Sequence, residues 1–129
     1  MAAVTELRVA LTVADFDQAV AFYGDALGLE RLADWSDEHG RVVVFSAGRA
    51  TLEVFDEAQA AKVDAIEAGQ RVSGTVRLAV EVADSKETAR RLLGAGAEQV
   101  GRPVLTPWGD RNARVEAPDG MQLTLFSRA

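Results

Sequence analysis

The stretch that decides the fold is LRVALTVAD, residues 7–15, because it returns as VRLAVEVAD at residues 76–84. Five of the nine aligned pairs are identical, and three others exchange leucine with valine. A second pair, LEVF at 52–55 and LTLF at 123–126, follows the two copies at almost the same offset. Two matches in the same order predict a duplicated module, at about 4–56 and 73–128, with a connector at 57–72.

Each copy predicts the element order βαβββ. Apolar and polar residues alternate along the repeated stretch, as they do in a half-buried strand. Asp15 and Asp84 end the two stretches, and Gln18 and Glu87 three residues later complete the pattern of a helix N-cap. The first helix then carries an apolar stripe and ends before a glycine. The stripe consists of Phe16, Val20, Tyr23 and Leu27, and the glycine is Gly28.

Further elements complete both modules and join them. Strands are expected at 29–36, 41–47 and 50–55, and then at 75–82, 98–104, 111–116 and 121–127, with the second helix at 85–95. The alanine-rich connector predicts a short helix at 57–68, which Gly69 ends. We therefore predict an α+β fold, in which two tandem βαβββ modules form a curled mixed sheet around a cleft within one domain, 1–129.

One face of this sheet is polar and is expected to lack a helix to cover it. Its residues are Arg8, Ala10, Thr12, Glu53, Arg77, Ala79, Glu81 and Thr124. In a single module such a face would simply be solvated. Two modules side by side instead form a trough, which the small side chains of Ala10 and Ala79 would leave open. Because concave and partly polar surfaces bind ligands, we interpret the trough as a binding cleft.

Composition excludes several classes of function. The chain has no cysteine and one histidine, His39, in an expected exposed turn, so a conventional zinc site is excluded. A net charge of −6 argues against a nucleic-acid partner. No apolar run approaches the roughly 20 residues of a membrane span, and no signal peptide is recognisable. We expect a cytoplasmic protein that binds neither nucleic acid nor membrane.

Several motifs resemble the vicinal oxygen chelate superfamily, which contains glyoxalase I, the bleomycin-resistance proteins, extradiol dioxygenases and fosfomycin-resistance enzymes. ADFDQAVAFYGDALGL at 14–29 is similar to the family's opening. PWGDR at 107–111 and APDG at 117–120 are similar to motifs near its C-terminus. The resemblance covers essentially the whole chain and implies the tandem-module fold. Because this fold hosts many chemistries, the resemblance does not imply one particular function.

The resemblance also implies where a metal would bind. Enzymes of the superfamily hold a divalent metal with one ligand, usually histidine or glutamate, from the first and last strand of each module. Carried onto this sequence, these positions are Arg8, Glu53, Arg77 and Thr124. Only Glu53 is a ligand type, and the two arginines are permanent cations that repel a metal. We therefore predict no metal and no cofactor at this site.

The function that follows is a metal-independent small-molecule binding protein of the glyoxalase/bleomycin-resistance type, which sequesters a drug or metabolite, as in antibiotic resistance. The alternative is an enzyme of the same superfamily, a lactoylglutathione lyase-like lyase or isomerase or a dioxygenase, with an atypical metal site around Glu53. A pure interaction module is a third class. The sequence announces no nucleophile, and no catalytic residue is assigned.

Six residues are the candidates for ligand binding: Arg8, Trp35, Glu53, Arg77, Trp108 and Thr124. The two tryptophans would supply aromatic walls, although Trp108 could equally be a turn residue packed by Pro107. Arg8 and Arg77 suit a carboxylate or phosphate through bidentate hydrogen bonds. Alternatively, they form structural pairs, Arg8 with Glu53 and Arg77 with Glu81, and the sequence leaves both readings open.

Two expectations concern the surface. The resemblance implies a homodimer, and a trough open along its length exposes backbone edges and an apolar rim that a second copy can cover. Whether the modules pair within or between chains is left open. The charges of Arg111 and Arg114 are expected to mark an exposed strand edge, which discourages aggregation.

Overall fold

The two copies of the repeated stretch lie side by side at the centre of one sheet. In the computed structural model, which describes residues 3–129, β1 (Val4–Thr12) pairs antiparallel with β5 (Val76–Val82). The modules therefore pair within one chain, which answers the question that the sequence left open. This register places Arg8 opposite Ala79, and Ala10 opposite Arg77.

The other elements follow the predicted βαβββ order in each half. They are α1 (Phe16–Ala21), continued by a π-helical turn (Phe22–Ala26), β2 (Glu30–Asp34), β3 (Val42–Ala47), β4 (Ala50–Phe55), α2 (Glu57–Ala68), α3 (Ser85–Gly94), β6 (Glu98–Gln99), β7 (Val104–Leu105), β8 (Asp110–Glu116) and β9 (Gln122–Arg128). The strand order is β2-β3-β4-β1-β5-β9-β8-β6, with β7 also paired to β8. The predicted α+β fold with a curled mixed sheet is confirmed.

Local signals place most element boundaries correctly. Asp15 Oδ1 accepts the Gln18 N–H at 3.0 Å, and Asp84 Oδ1 accepts the Glu87 N–H at 3.0 Å, so both predicted N-caps form. The connector helix covers the predicted residues. The strand expected at 98–104 is instead two short pieces, β6 and β7. The place given to Leu27 in the apolar stripe is wrong, since the π-helical turn leaves this side chain 60% exposed.

On the convex side of the sheet, each module packs its own helix over its outer strands. Phe16 of α1 packs against Val43, Phe45 and Val54, and Ala89 of α3 packs against a cluster on β8 and β9. Between the two helices, β1 and β5 present an apolar stripe that, within residues 3–129, is only partly covered, with Val80 packed against the α3 cluster. The stripe consists of the cross-strand pairs Leu7–Val80, Val9–Leu78 and Leu11–Val76.

On the concave side, the prediction that no helix covers the sheet is wrong. The connector helix α2 lies in the trough and packs Ala60 and Val63 against a buried cluster of module 1. The cluster is formed by Ala10, Val42, Val44 and Phe55. Because these strand residues are apolar, the module 1 half of the trough needs a cover, and Ala10 is buried instead of leaving the trough open. Within residues 3–129, no helix is long and apolar enough to cross a membrane.

Candidate functional site

A cavity of about 520 Å³ remains between the curled sheet and α2. The six residues that the sequence singles out, which are Arg8, Trp35, Glu53, Arg77, Trp108 and Thr124, all line it. They come from both modules and from two loops far apart in the sequence. The strands bring four of the candidates together, and the loops that carry Trp35 and Trp108 bring the other two to the same cavity.

Register explains how two arginines fit at the centre of this cavity. One row of cross-strand neighbours consists of Glu53 on β4, Ala10 on β1 and Arg77 on β5. The neighbouring row consists of Arg8 on β1, Ala79 on β5 and Thr124 on β9. Antiparallel pairing of two Arg-Xaa-Ala sequences sets each arginine opposite an alanine. The guanidinium groups therefore lie on a diagonal, and the alanines provide the space that they need.

Arg77 is the buried cation of the cavity, with 6% of its surface exposed. Its Nη1 donates to Thr124 Oγ1 at 2.8 Å, and its guanidinium lies 5.7 Å from the centre of the Phe55 ring. Burial lowers the pKa of Arg77 below its ordinary value. The pairing of Arg77 with Glu81 does not form, because Glu81 accepts from Thr5 and Arg128 instead.

Arg8 lies nearer the cavity mouth and pairs with Glu6, at 2.6 Å between Nε and Oε2. The pairing of Arg8 with Glu53 does not form. The guanidinium stacks on Phe126 at 4.7 Å from the ring centre and lies 5.7 Å from that of Trp35. Burial alone would lower the pKa of Arg8, but the hydrogen bond to Glu6 and the charge of Glu53 raise it. The positive charge of Arg8 is therefore partly balanced by the carboxylate of Glu6.

Glu53 is a buried carboxyl group without a partner. Its residue is 7% exposed, and within residues 3–129 it makes no hydrogen bond and no ion pair. Burial raises the pKa of Glu53, and the charges of Arg77 and Arg8 oppose that rise without cancelling it. A carboxyl group in this state is available to a ligand or to proton transfer.

Aromatic rings form another part of the wall, which also includes the charged residues Lys62, Glu67, Asp110 and Arg128. Trp35 and Trp108 are 51% and 48% exposed, whereas Phe55 and Phe126 are buried. The exposed indoles at the mouth and the buried rings below them offer stacking surfaces to a ligand. His39 lies in the expected exposed turn, with Asp37 paired to Gly40, and is not a lining residue of the cavity.

Under the cavity lies a buried charge network that the sequence did not predict. Arg114 is fully buried, with its Nη1 2.9 Å from Asp64 Oδ1 and its Nη2 3.0 Å from Glu67 Oε1. Thr124 Oγ1 donates to Glu67 Oε1 at 2.6 Å, and Asn112 Nδ2 donates to Glu67 Oε2 at 3.0 Å. These bonds fix α2 to the module 2 sheet.

The expectation that Arg114 marks an exposed strand edge is wrong. Strand β8 lies between β9 and the short strands β6 and β7, so it is not an edge there. Arg114 points to the concave side, while Arg111 is exposed as predicted. A usable signal existed in α2, where Ala60, Val63 and Glu67 repeat at helical spacing and so predict one buried face that includes an acid.

Protonation of Asp64 is predicted to loosen this network in acid. Burial alone would raise the pKa of Asp64, but hydrogen bonds from Ser73 and Val72 and the charge of Arg114 lower it to about 2. A pKa below the unfolded value stabilises the fold above pH 3.8, and this contribution is lost as the pH falls towards 2. We expect a loss of about 2 kcal/mol between pH 5 and 2.

Denaturant unfolding at pH 5, 3.5 and 2 measures this loss. The variant Asp64→Asn is expected to be less stable than the parent at pH 5 and to lose less stability on acidification. Equal pH dependence of the parent and the variant would contradict the assignment to Asp64.

Two buried acceptor atoms of the cavity lack a donor within residues 3–129, namely Gln59 Oε1 and Asn112 Oδ1. The bond from Asn112 Nδ2 to Glu67 fixes the orientation of that amide, so its free oxygen is the remaining group. Buried acceptors without donors are costly, but these two atoms have almost no accessible surface, so they do not open onto the cavity although their residues line it.

A divalent metal does not fit the residues at this site. The four positions that the resemblance implies hold two arginines, a threonine and one glutamate. Within the described residues 3–129, no group of three or more histidine, cysteine, aspartate or glutamate side chains is placed to hold a metal ion. The guanidinium of Arg77 occupies a ligand position with a fixed positive charge.

Comparison with known proteins places the chain in a family. The sequence profile of the Glyoxalase/Bleomycin resistance protein/Dioxygenase superfamily matches residues 7–125. No curated protein matches the sequence at a significant level.

Solved structures share the fold along nearly the whole chain. Methylmalonyl-CoA epimerase from Mycobacterium tuberculosis has a TM-score of 0.70 at 22% identity and covers 100% of this chain and 91% of that one. Methylmalonyl-CoA epimerase from Streptomyces coelicolor, in complex with 2-nitronate-propionyl-CoA, has a TM-score of 0.68 at 19% identity, with coverages of 98% and 99%. A superfamily member from Vibrio splendidus has a TM-score of 0.67 at 14% identity, with coverages of 95% and 97%. At these identities the likeness establishes the fold alone.

Proposed function

This chain belongs to the glyoxalase/bleomycin resistance protein/dioxygenase superfamily, and from that membership we propose that it is a metal-independent small-molecule binding protein. The observation that carries the proposal is the replacement of metal-ligand positions by Arg8 and Arg77, with Arg77 buried in a cavity of about 520 Å³. Its role is to sequester a drug or metabolite, without chemistry on it.

The cavity supports an anionic ligand with an apolar or aromatic body. Among the residues that the structure describes, Arg77 donates to a protein acceptor only through Nη1, so its other N–H groups can bind an anion. Phe55 and Phe126 line the interior, and the tryptophans lie at the mouth. A volume of this size suits a drug-sized molecule.

Metal analysis and a ligand screen test the proposal together. Protein purified without chelator should carry no stoichiometric divalent metal, and a small acidic compound should raise the melting temperature, since binding to the folded state alone stabilises it. One metal per chain that is lost in Glu53→Ala would overturn the proposal. A broad screen without any stabilising compound would favour the interaction module instead.

Glu53 favours a second candidate, an enzyme of the same superfamily. A buried carboxyl group without partners, whose pKa burial raises, fits a general acid or base. Two structural neighbours are epimerases by name. In this case Glu53→Gln abolishes turnover of a ligand found in the screen and retains its binding, whereas a binding protein shows no turnover to abolish.

Removing Arg77 is predicted to weaken ligand binding without unfolding the protein. Thr124 keeps its bonds to Glu67 and Arg114, so the loss of Arg77 leaves no hydrogen-bonding partner of Arg77 without a bond. We expect Arg77→Ala to lower the affinity for an anionic ligand by about 1–3 kcal/mol and Arg8→Ala by less, because Arg8 is shared with Glu6. Calorimetric titration and thermal melting check both quantities. Variants that melt earlier at unchanged affinity would remove both arginines from the binding site.

We also propose a homodimer formed through the apolar stripe on β1 and β5. Leu7 and Val76 are 36% and 38% exposed, and the other four residues of the stripe are only partly buried. A continuous apolar face between two helices is stabilised by covering it, and two-fold symmetry lets a second copy do so. Sedimentation should give a dimer, and Val76→Glu a monomer. A parent protein that is monomeric at micromolar concentration would contradict this.

A further inference from the structure

Two opposite charges face each other across the cavity floor without touching. Glu53 and Arg77 lie in one row of the sheet on either side of Ala10, and both are buried. Strands two places apart are about 9.5 Å apart, and the alanine between them fills little of that gap. No nitrogen of Arg77 lies within 4.0 Å of a carboxylate oxygen of Glu53, since no ion pair joins them.

Both groups retain unused hydrogen-bonding capacity. The Glu53 carboxyl group has no donor, and Nε and Nη2 of Arg77 have no acceptor, within residues 3–129. These free atoms are not among the fully buried side-chain atoms without a partner, so they open onto the cavity and a ligand can reach them. Ordinary ion pairs close such gaps, as Arg114 does with Asp64 in the same fold. The separation kept between Glu53 and Arg77 is therefore a place for a third group.

We infer that the cavity takes a zwitterionic ligand, an amino acid or amino-acid-like compound whose carboxylate binds Arg77 and whose ammonium group binds Glu53. This inference rests on the proposed binding function and names its ligand class. An anion alone would leave Glu53 without a donor and add a second negative charge beside it. A cation alone would leave Arg77 without an acceptor and add a second positive charge beside it.

The remaining lining specifies the rest of the ligand. The rings of Phe55 and Phe126 then face the body of the ligand. The cavity of about 520 Å³ is larger than a glycine or alanine needs, so the ligand carries an aromatic or large aliphatic side chain.

The test uses three forms of each probe, of which one carries both charges, one only the anion and one only the cation. Free phenylalanine, tryptophan, leucine and methionine are compared with their N-acetyl derivatives and their methyl esters by calorimetric titration. We expect at least one free amino acid to bind tenfold or more tightly than both of its derivatives. The N-acetyl form lacks the cation and the ester lacks the anion, so each derivative satisfies only one of the two buried groups.

Variants assign each charge to its residue. Glu53→Gln should weaken the free amino acid tenfold or more and leave the N-acetyl form unchanged. Arg77→Gln should lower the affinity for the free amino acid and for the N-acetyl form, and leave the affinity for the methyl ester unchanged. Glu38→Gln and Arg111→Gln, which change exposed charges that do not line the cavity, serve as matched controls and should alter nothing. Thermal melting of every variant checks that it folds.

The outcomes distinguish failure of the zwitterion inference from failure of the proposed binding function. An N-acetyl acid that binds as tightly as the free amino acid overturns the zwitterion and leaves the binding function in place. Failure of every free amino acid to bind also overturns the zwitterion. A stoichiometric metal on Glu53, or the absence of any stabilising compound in a broad screen, overturns the binding function itself.

Discussion

Replacing Arg114 with methionine is expected to remove about 3–5 kcal/mol from the free energy of unfolding. The guanidinium is fully buried and bonds both Asp64 and Glu67 of α2. Methionine fills similar space but donates no hydrogen bond, so the buried carboxyl group of Glu67 loses its ion pair, and that of Asp64 keeps only Arg71 as a cationic partner. Chemical denaturation of the parent and the variant at pH 7 measures the loss.

A matched control lies on the same strand. Arg111 is exposed and faces the other side of β8, so Arg111→Met should change the free energy of unfolding by less than about 0.5 kcal/mol. Adding Glu67→Gln to Arg114→Met removes one stranded charge and should recover part of the loss. Equal small effects of the two arginine replacements would contradict a structural role for the network.

The repeat allowed the sequence to predict the centre of the site. Alternation fixed which side chains of β1 and β5 point into the trough, and antiparallel pairing of two copies set Arg8 and Arg77 on a diagonal. Both helix caps were readable because a capping bond joins residues three apart. Patterns that depend on near neighbours, or on symmetry between copies, are visible in a single sequence.

The cover of the trough could not be read in the same way. The connector helix was predicted at its correct residues, but its place depends on contacts with Val42 and Val44, which are distant in sequence. The same holds for Arg114, whose two acidic partners lie 47 and 50 residues away. A charged residue in a strand of alternating apolar and polar residues is predicted to be exposed unless its buried partners are known.

The partners of the cavity arginines were missed for another reason. Glu6 precedes Arg8 by two residues on the same face of β1, a spacing that allows side chains of one strand to meet. The prediction instead sought partners across the trough, at Glu53. The pair that forms locally is what leaves Glu53 without a partner in the cavity.

Replacing Gly101 with alanine is expected to lower the free energy of unfolding by about 3 kcal/mol. Gly101 follows β6 and approaches the C-terminal turn of α2 so closely that an added Cβ would overlap the carbonyl oxygen of Glu67. It would also lie 2.9 Å from the carbonyl carbon of that residue and 3.1 Å from Ala68 Cα. All three obstacles are backbone, so the helix itself must move.

Displacement of this turn reaches the cavity, because Glu67 lines it and accepts hydrogen bonds from Arg114 and Thr124. Gly101→Ala should therefore lower both the free energy of unfolding and the affinity for any ligand of the cavity. Gly74→Ala is the matched control, since a Cβ there meets nothing within 4 Å, and it should change neither quantity appreciably. Denaturant unfolding and calorimetric titration measure the two effects. If Gly101→Ala kept the parent's stability, the close approach of α2 would not hold the helix in the trough, and its position would depend on the Arg114 network and on the packing of Ala60 and Val63.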